Sequence, residues 1–177
     1  MTATRPTPAF DIRPESALDH EAIERLHDRA FGPGRYARTA FRLRETGGTD
    51  AAPADATARF CYSALVGTLL MGSIRMTPVM AGEVRALMLG PLTVDPSFEG
   101  VGVGAALVRR ALAAAIDAGE TLVLLVGDEP YYRRFGFRMV PDGQLKLPGP
   151  VNTRRFLAAE LVDGALDRAK GSVKAVR

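Results

Sequence analysis

Three glycines that alternate with other residues form the segment of this chain best suited to binding a charged ligand. Gly100, Gly102 and Gly104 lie between a β-rich run that ends at Asp95-Pro96 and a helix-forming stretch that begins near Val103. Glycine allows turn conformations that other residues avoid and lets a ligand approach the main chain closely. The N–H groups at the start of a helix have no partner within it, so they attract anions, and the helix dipole adds to this attraction. The segment therefore predicts a turn that holds a pyrophosphate through its backbone.

Few other side chains have the types and spacing that chemistry requires. His20 and His27 lie seven residues apart on one predicted helix, without nearby cysteines or suitably spaced acids, which indicates packing or surface histidines and predicts no metal site. The single cysteine, Cys61, excludes an intramolecular disulfide and is expected to be a small core residue of a strand. Glu83, Asp128 and Glu129 are acidic residues that are candidates for a general base.

Length and composition predict one domain spanning residues 1–177. The chain is 47% hydrophobic and 24% charged, as is ordinary for a globular protein, and its net charge of +3 gives little reason to expect a nucleic-acid partner. No stretch approaches the roughly 18 uninterrupted apolar residues of a membrane span, and residues 1–8 contain no apolar signal core. We therefore expect a cytoplasmic protein with no membrane partner.

The predicted secondary structure around these residues contains both strands and helices. A helix is expected to start at the capping box Ser16–Asp19 and to end at Gly32, and a flexible loop is expected at 46–58. Further helices are predicted at 35–45 and 103–118, and a short one begins at Pro130. Strands are predicted at 10–13, 60–66, 68–77, 84–94, 121–126 and 156–162, with a hairpin turn near Gly67. This order predicts an α/β fold with a mixed central sheet flanked by helices.

The glycine turn falls inside a strand–helix–strand unit. A helix at 103–118 between strands at 84–94 and 121–126 implies a right-handed crossover that joins two parallel strands. Gly90-Pro91 interrupts the first of these strands, and proline cannot donate to a ladder, so we expect the strand to bulge there or to part from a neighbour. The predicted sheet is thus splayed beside the glycine turn.

Two families have a glycine turn of this kind. Gly100-x-Gly102-x-x-Ala105, with Asp128 further on, formally matches the dinucleotide fingerprint of nicotinamide and flavin enzymes. That fingerprint places its glycines at the very end of a strand near the start of a domain. Here Asp95 to Glu99 intervene, and a mixed α/β region of roughly 90 residues precedes the turn.

The chain resembles the GNAT superfamily of acyl-CoA-dependent N-acyltransferases more closely. The central motif of that family is Gln or Arg, two residues, Gly, one residue, then Gly or Ala, and it matches the segment from Glu99 to Gly104. A second hallmark follows at a fitting distance as Tyr132-x-x-x-Gly136-Phe137, in a run similar to a branch of predicted bacterial N-acetyltransferases. The resemblance implies a single-domain GNAT-like fold in which the parallel strands are splayed.

The resemblance also implies acetyl-CoA as co-substrate and an amine as acceptor. Leu92-Thr93-Val94 would pair through the main chain with the pantetheine arm, a backbone amide near 89–92 would polarise the thioester carbonyl, and Tyr132 would be the general acid for the leaving sulfur. The pyrophosphate would lie on the backbone of the glycine turn, at Glu99, Gly100, Val101, Gly102, Val103, Gly104 and Ala105.

This sequence departs from the family pattern at two positions of the motif. Glu99 stands where Gln or Arg is usual, and Val101 occupies a position that is often basic, so CoA affinity would rest on the backbone. A non-catalytic CoA-binding sensor or ligand-binding module on the same fold therefore remains an alternative. The sequence does not determine the acceptor, a small molecule or a peptide amine, and a homodimer is compatible with it. The spacing of Arg35, Arg38 and Arg42 places them on one helix face, where they would either be solvated or border the acceptor site.

Overall fold

A mixed β-sheet forms the centre of the computed structural model, which describes residues 9–46 and 59–176. Numbered in chain order over those residues, its strands run in the order β1-β2-β3-β4-β5-β8-β6, and β9 pairs with both β3 and β7. Neighbours are antiparallel except β4–β5 and β7–β9, which are parallel. The strands are β1 Asp11–Pro14, β2 Tyr62–Val66, β3 Leu69–Ala81, β4 Val84–Val94, β5 Leu122–Val126, β6 Arg138–Met139, β7 Leu145–Lys146, β8 Phe156–Glu160 and β9 Gly171–Ala175.

Helices cover both faces of the sheet. They are α1 His20–Phe31, α2 Thr39–Thr46, α3 Val103–Asp117, α4 Glu129–Tyr132 and α5 Ala165–Arg168. Successive strand residues point to opposite faces, so neighbouring residues of β4 contact different helices. Leu87 belongs to the core cluster of α3, whereas Ala86 and Met88 belong to the cluster that contains Leu43 of α2. The helices α2 and α3 therefore pack on opposite faces.

The structure confirms the predicted elements around the glycine turn. The hairpin turns at Gly67, α3 begins at Val103, and β5 lies parallel to β4. The predicted irregularity at Gly90-Pro91 is present as a bulge: Met76 pairs with Leu89 and Ile74 with Leu92, so two residues of β4 oppose the single Arg75 of β3. The expected mixed α/β fold with a splayed parallel pair is thus observed.

The predicted helix at 35–45 is wrong in one respect, because the chain breaks at Arg38. A 3-10 helix covers Pro33–Ala37, and α2 begins only at Thr39. Arg35 is buried against Asp28 and Glu24, so it does not share a face with the exposed Arg38. The short elements β6, β7, β9 and α5 had no recognisable pattern. Beyond Thr46, the predicted loop at 46–58 lies outside the described residues.

A buried charge network attaches α1 to the sheet. The Arg75 guanidinium donates two hydrogen bonds to the Glu15 carboxylate, at 2.8 and 2.6 Å, and one to Glu24 at 3.3 Å. The Arg75 side chain is only 4% exposed, so removing either acid would leave a buried cation poorly paired. Because Arg75 lies opposite the β4 bulge, the network holds α1 over that part of the sheet.

His27 of α1 is fully buried beside this network as a neutral ring. Neither ring nitrogen has a hydrogen-bond partner among the described residues, and the ring packs edge-on against Phe41 with 5.5 Å between centroids. Burial, together with the nearby positive charge of Arg75, lowers the pKa of His27 from 6.5 to about 4, although Glu24 opposes the shift. The histidine therefore packs in the interior of the protein.

His27 should make folding stability depend on pH. Between pH 6.5 and about 4 the unfolded chain binds a proton that the folded chain does not, so the stability present above pH 6.5 is lost as pH falls. We expect His27→Leu to reduce the loss in the free energy of unfolding between pH 7 and pH 4.5 by about 2–3 kcal/mol, measured by urea titration. The unsubstituted protein provides the reference, and a pH dependence of His27→Leu equal to that of the unsubstituted protein would contradict this account.

Candidate active site

The parallel strands β4 and β5 are hydrogen-bonded over a short distance and then separate. Leu87 pairs with Val123 and Met88 with Leu124, and no further pair joins the two strands within the described residues. The bulge at Gly90-Pro91 follows immediately. Beyond Met88, the edge of β4 that faces β5 consequently has no strand partner, and its backbone groups are available to a ligand.

A cavity of about 630 Å³ occupies the gap between these strands. Its walls include Met88, from the α2 face of the sheet, and Leu89, from the α3 face, so the cavity passes between the two faces. This volume lies within the range typical of small-molecule sites. The remaining walls come from segments distant in sequence, at Phe31, 37–41, 90–92, 126–128, Tyr131, Tyr132, 150–152 and Arg155.

The glycine turn presents unpaired backbone donors at the start of α3. Gly100 and Gly102 have φ of +77° and +87°, a left-handed conformation that favours glycine. Among the described residues, none of the N–H groups from Gly100 to Ala105 donates a hydrogen bond. An ideal Cβ on Gly100 or Gly102 would meet no atom within 4 Å, so the space in front of these amides is open. Such a turn is suited to an anion.

Side chains on the protein side of the turn keep it in place. Asp95 accepts a hydrogen bond from the Ser97 amide at 2.9 Å and forms an ion pair with Arg29 of α1 at 2.9 Å. Its pKa is lowered chiefly by the bond from Ser97. Val101 and Val103 pack against the core, so the turn directs its backbone outward.

Two tyrosines of α4 line the cavity next to the turn. The Tyr131 hydroxyl lies 2.9 Å from an ideal Cβ on Gly104, which places this ring between the cavity and α3. The Tyr132 ring packs edge-on against Phe137, with 5.7 Å between centroids, and lies so close to Gly127 that an ideal Cβ there would be 2.5 Å from it. The cavity and the glycine turn are therefore adjacent.

The Tyr132 hydroxyl is protonated at neutral pH and has no hydrogen-bond partner among the described residues. Burial of the ring, with smaller contributions from Tyr131 and Asp128, raises the pKa of Tyr132 to about 12. A hydroxyl of this kind donates a proton only to a base that forms during a reaction. Tyr132 thus lines the cavity in its protonated form, and a general acid must be protonated before it can act.

Comparison with known proteins identifies the family. A family model described as an acetyltransferase (GNAT) domain matches residues 11–140, a range that includes the splayed strands, the glycine turn and both tyrosines. The chain belongs to the GNAT family.

Two relatives align with this GNAT chain over most of their own length. The uncharacterized N-acetyltransferase YhbS of Escherichia coli K12 is 29% identical over 169 residues, which cover 92% of this chain and 94% of YhbS. The crystal structure of Escherichia coli YhbS in complex with CoA matches with a TM-score of 0.77 and 25% identity, covering 97% of this chain and 92% of that one. A GNAT acetyltransferase from Brucella melitensis in complex with acetyl-CoA has a TM-score of 0.61 and 28% identity, covering 90% and 99%.

The predicted site residues of this GNAT chain differ in how close they lie to the cavity. Leu92 and Tyr132 line it directly. Thr93 and Val94 continue the unpaired edge of β4, and the Thr93 side chain is buried, with its hydroxyl 3.4 Å from that of Ser73. The turn from Gly100 to Ala105 lies beside the cavity. Glu99 begins that turn, but its amide already donates to the Pro96 carbonyl at 3.3 Å.

Only one of the three candidate general bases lines the cavity. Asp128 lines the cavity and forms an ion pair with Arg155 at 3.2 Å. Glu129 is bound to Arg133 at 2.7 Å, and Glu83 lies in the turn between β3 and β4; neither lines the cavity. No group of three or more potential metal ligands, and no helix long and apolar enough to cross a membrane, occurs in the part of the chain that the structure describes.

Sequence reasoning missed the polar residues on the α2 side of this GNAT site. Asn152 and Arg155 follow no motif, because their loop reaches the cavity only when β8 pairs with β5. The sequence pattern placed Arg38 on a helical arginine face. Gly32-Pro33-Gly34 is the sequence feature that indicates the irregular segment before Arg38.

Gly127 should be required for the position of the Tyr132 ring. In Gly127→Ala the new methyl group would overlap that ring, so we expect the free energy of unfolding to fall by about 1–3 kcal/mol. Gly34→Ala provides a matched control, because an ideal Cβ there meets no atom within 4 Å, and its change should stay within about 0.5 kcal/mol. Chemical denaturation of both variants tests this, and equal stabilities would argue against the close packing described.

Proposed function

We propose that this protein transfers the acetyl group of acetyl-CoA to a primary amine by direct attack. The observation that carries the proposal is the cavity between β4 and β5 with unpaired amides beside it. This arrangement matches a ligand that has a diphosphate at one end and a narrow thioester arm at the other. The CoA complex of YhbS and the acetyl-CoA complex of the Brucella relative support the same ligand for this chain.

The donor would bind mainly through the backbone. The amides of Gly100 to Ala105 would hold the pyrophosphate, and the free edge of β4 at 92–94 would pair with the pantetheine arm. The Glu99 carboxylate is exposed and the Glu99 amide is engaged, so this residue would add no attraction for a phosphate. Val101 packs against the core and likewise adds none.

The reaction would proceed in one displacement at the thioester carbon. An uncharged amine attacks, the C–N bond forms, a backbone amide near 89–92 stabilises the carbonyl oxygen, and the C–S bond breaks. The departing thiolate takes the proton of the Tyr132 hydroxyl, which solvent then restores. Because the pKa of Tyr132 is about 12, this proton is present throughout the neutral range. The attacking nitrogen loses its proton to water or to Asp128, which lines the cavity.

We also propose that the chain forms a single domain. Residues beyond the matched range 11–140 continue the same sheet, since β8 pairs with β5 and β9 with β3, which supports a single domain. A reaction that consumes acetyl-CoA agrees with the cytoplasmic location expected from the sequence.

Tyr132→Phe should separate turnover from binding. We expect kcat to fall about 100-fold, because the thiolate would leave without its proton donor, while the Kd for CoA stays within about 2-fold. Turnover is measured by thiol release with an amine substrate, and binding by calorimetry. Tyr62→Phe is the control, because the Tyr62 hydroxyl bonds to the Arg59 carbonyl, away from the cavity. Unchanged turnover of Tyr132→Phe would remove Tyr132 from this role. CoA binding without acetylation of any amine would favour the sensor alternative.

Gly102→Val should weaken CoA binding by placing a side chain in front of the amides of α3. A valine at this position, where φ is +87°, would also introduce backbone strain of about 1–2 kcal/mol. Gly119→Val, beyond the opposite end of α3 with φ of +76° and equally open space, reproduces that strain away from the ligand. Calorimetry should give a Kd for CoA raised about 10-fold or more in Gly102→Val only. The variants Gly102→Ala and Gly119→Ala repeat this comparison with a smaller side chain. Equal CoA affinity in both would contradict the assignment of the turn.

A further inference from the structure

Three charged side chains of the described residues line the cavity: Arg38 before α2, Asp128 at the start of α4, and Arg155 in the loop before β8. The walls therefore contain two cations and one anion. The glycine turn that would hold the donor lies at the start of α3, which packs on the other face of the sheet from α2. The two cations of the walls thus belong to other elements than the proposed pyrophosphate site.

Arg38 has no acidic partner among the described residues. Its guanidinium lies over the Phe31 ring, 4.7 Å from the centroid, and forms no ion pair with any of them. The neighbouring Arg35, in contrast, is buried and paired with Asp28 and Glu24. The break of the chain at Arg38 thus separates a structural arginine from one that faces the cavity. Stacking on Phe31 restricts its guanidinium and leaves the N–H groups available to a ligand.

Arg155 is held in place from two directions. Its carbonyl accepts a hydrogen bond from the Gly127 amide at 2.9 Å, which fixes the loop to the end of β5. The Asp128 carboxylate lies 3.2 Å from its Nε atom, and the two terminal nitrogens form no hydrogen bond with the described residues. The segment before this loop contacts α2, since an ideal Cβ on Gly149 would lie 2.9 Å from a guanidinium nitrogen of Arg42. Arg38 and Arg155 line the same cavity.

Apart from Thr39 and Asn152, the rest of this end of the cavity is apolar. Phe31, Ala40, Phe41 and Val151 form its surface. A neutral or cationic amine would find two guanidinium groups here with only one carboxylate to offset them. An amine with an anionic group would satisfy the available N–H donors, since guanidinium binds carboxylate and phosphate oxygens in a bidentate manner.

We propose that the acceptor is a small primary amine that carries an anionic group, carboxylate or phosphate, which Arg38 and Arg155 bind. This inference rests on the proposed acetyl transfer and specifies its substrate class. Arg38 and Arg155 would determine specificity by fixing the anionic end, so that the amine at the other end points toward the gap between β4 and β5. Neither residue would take part in the chemical step.

Pairs of amines with and without an anionic group test this proposal. Acetylation of phenylalanine is compared with that of phenylalaninamide, β-alanine with β-alaninamide, and phosphoethanolamine with ethanolamine, each at saturating acetyl-CoA. We expect kcat/KM to favour the anionic member of at least one pair by about 10-fold or more, and the pair that responds distinguishes carboxylate from phosphate. Preference for the neutral member in every pair, or no preference, would overturn the proposal.

The variants Arg38→Gln and Arg155→Gln test whether these two arginines cause the preference for anionic amines. Each should raise KM for the anionic amine about 10-fold with little change in kcat, and should leave KM for acetyl-CoA and for the neutral amine unchanged. Arg154→Gln, in the same 3-10 helix but outside the cavity, should change none of these constants. An unaltered preference for anionic amines in both cavity variants would also overturn the proposal.

Binding measurements separate this inference from the proposed function. Calorimetry of the anionic amines against the CoA-saturated protein needs no turnover, and Arg38→Gln should weaken binding. If anionic amines bind but none is acetylated, the transfer reaction fails while the anion site stands. If amines are acetylated without regard to charge, the transfer stands and the anion site fails. If none binds and none is acetylated, both fail.

Discussion

The separation of β4 from β5 is the constraint on which the rest of the site depends. The two strands form a parallel ladder at Leu87 and Met88, and the bulge at Gly90-Pro91 then ends it. A continuous ladder would leave no passage between the two faces of the sheet. It would also use the backbone groups of β4 that remain available in this structure. A single irregularity therefore creates both a cavity and a strand edge that a ligand can bind.

The structure stabilises this irregularity from behind. Arg75 stands opposite the bulge and is bound by Glu15 and Glu24, so a buried ionic cluster lies where a simple apolar contact would suffice for packing. The cluster fixes α1, whose Phe31 lines the cavity and supports Arg38. The cost of burying these charges is offset by the hydrogen bonds among them, and the arrangement connects the shape of the sheet to the position of a cavity wall.

The two ends of the site offer different groups for contact with an anion. At the start of α3, left-handed glycines present main-chain N–H groups, and the valines of the same turn hold it against the core. At the end near α2, the guanidinium groups of Arg38 and Arg155 line the cavity on long side chains. A backbone site is rigid and suited to a ligand common to a family, whereas side chains on loops vary more readily between relatives. Tyr132 lies between the two ends, where a reacting group would be placed.

Local patterns in the sequence are sufficient to predict three features of the site. These are the strand–helix–strand unit around Gly100 to Gly104, the irregularity at Gly90-Pro91, and the tyrosine that follows β5. Glycine conformation, the missing proline donor and apolar periodicity act within a few residues, so they can be recognised without a fold. The identity of the side chains that complete the cavity depends on long-range packing. Arg38 and Arg155 are more than a hundred residues apart, and only the packing of α2 on the sheet and the pairing of β8 with β5 bring them to one cavity.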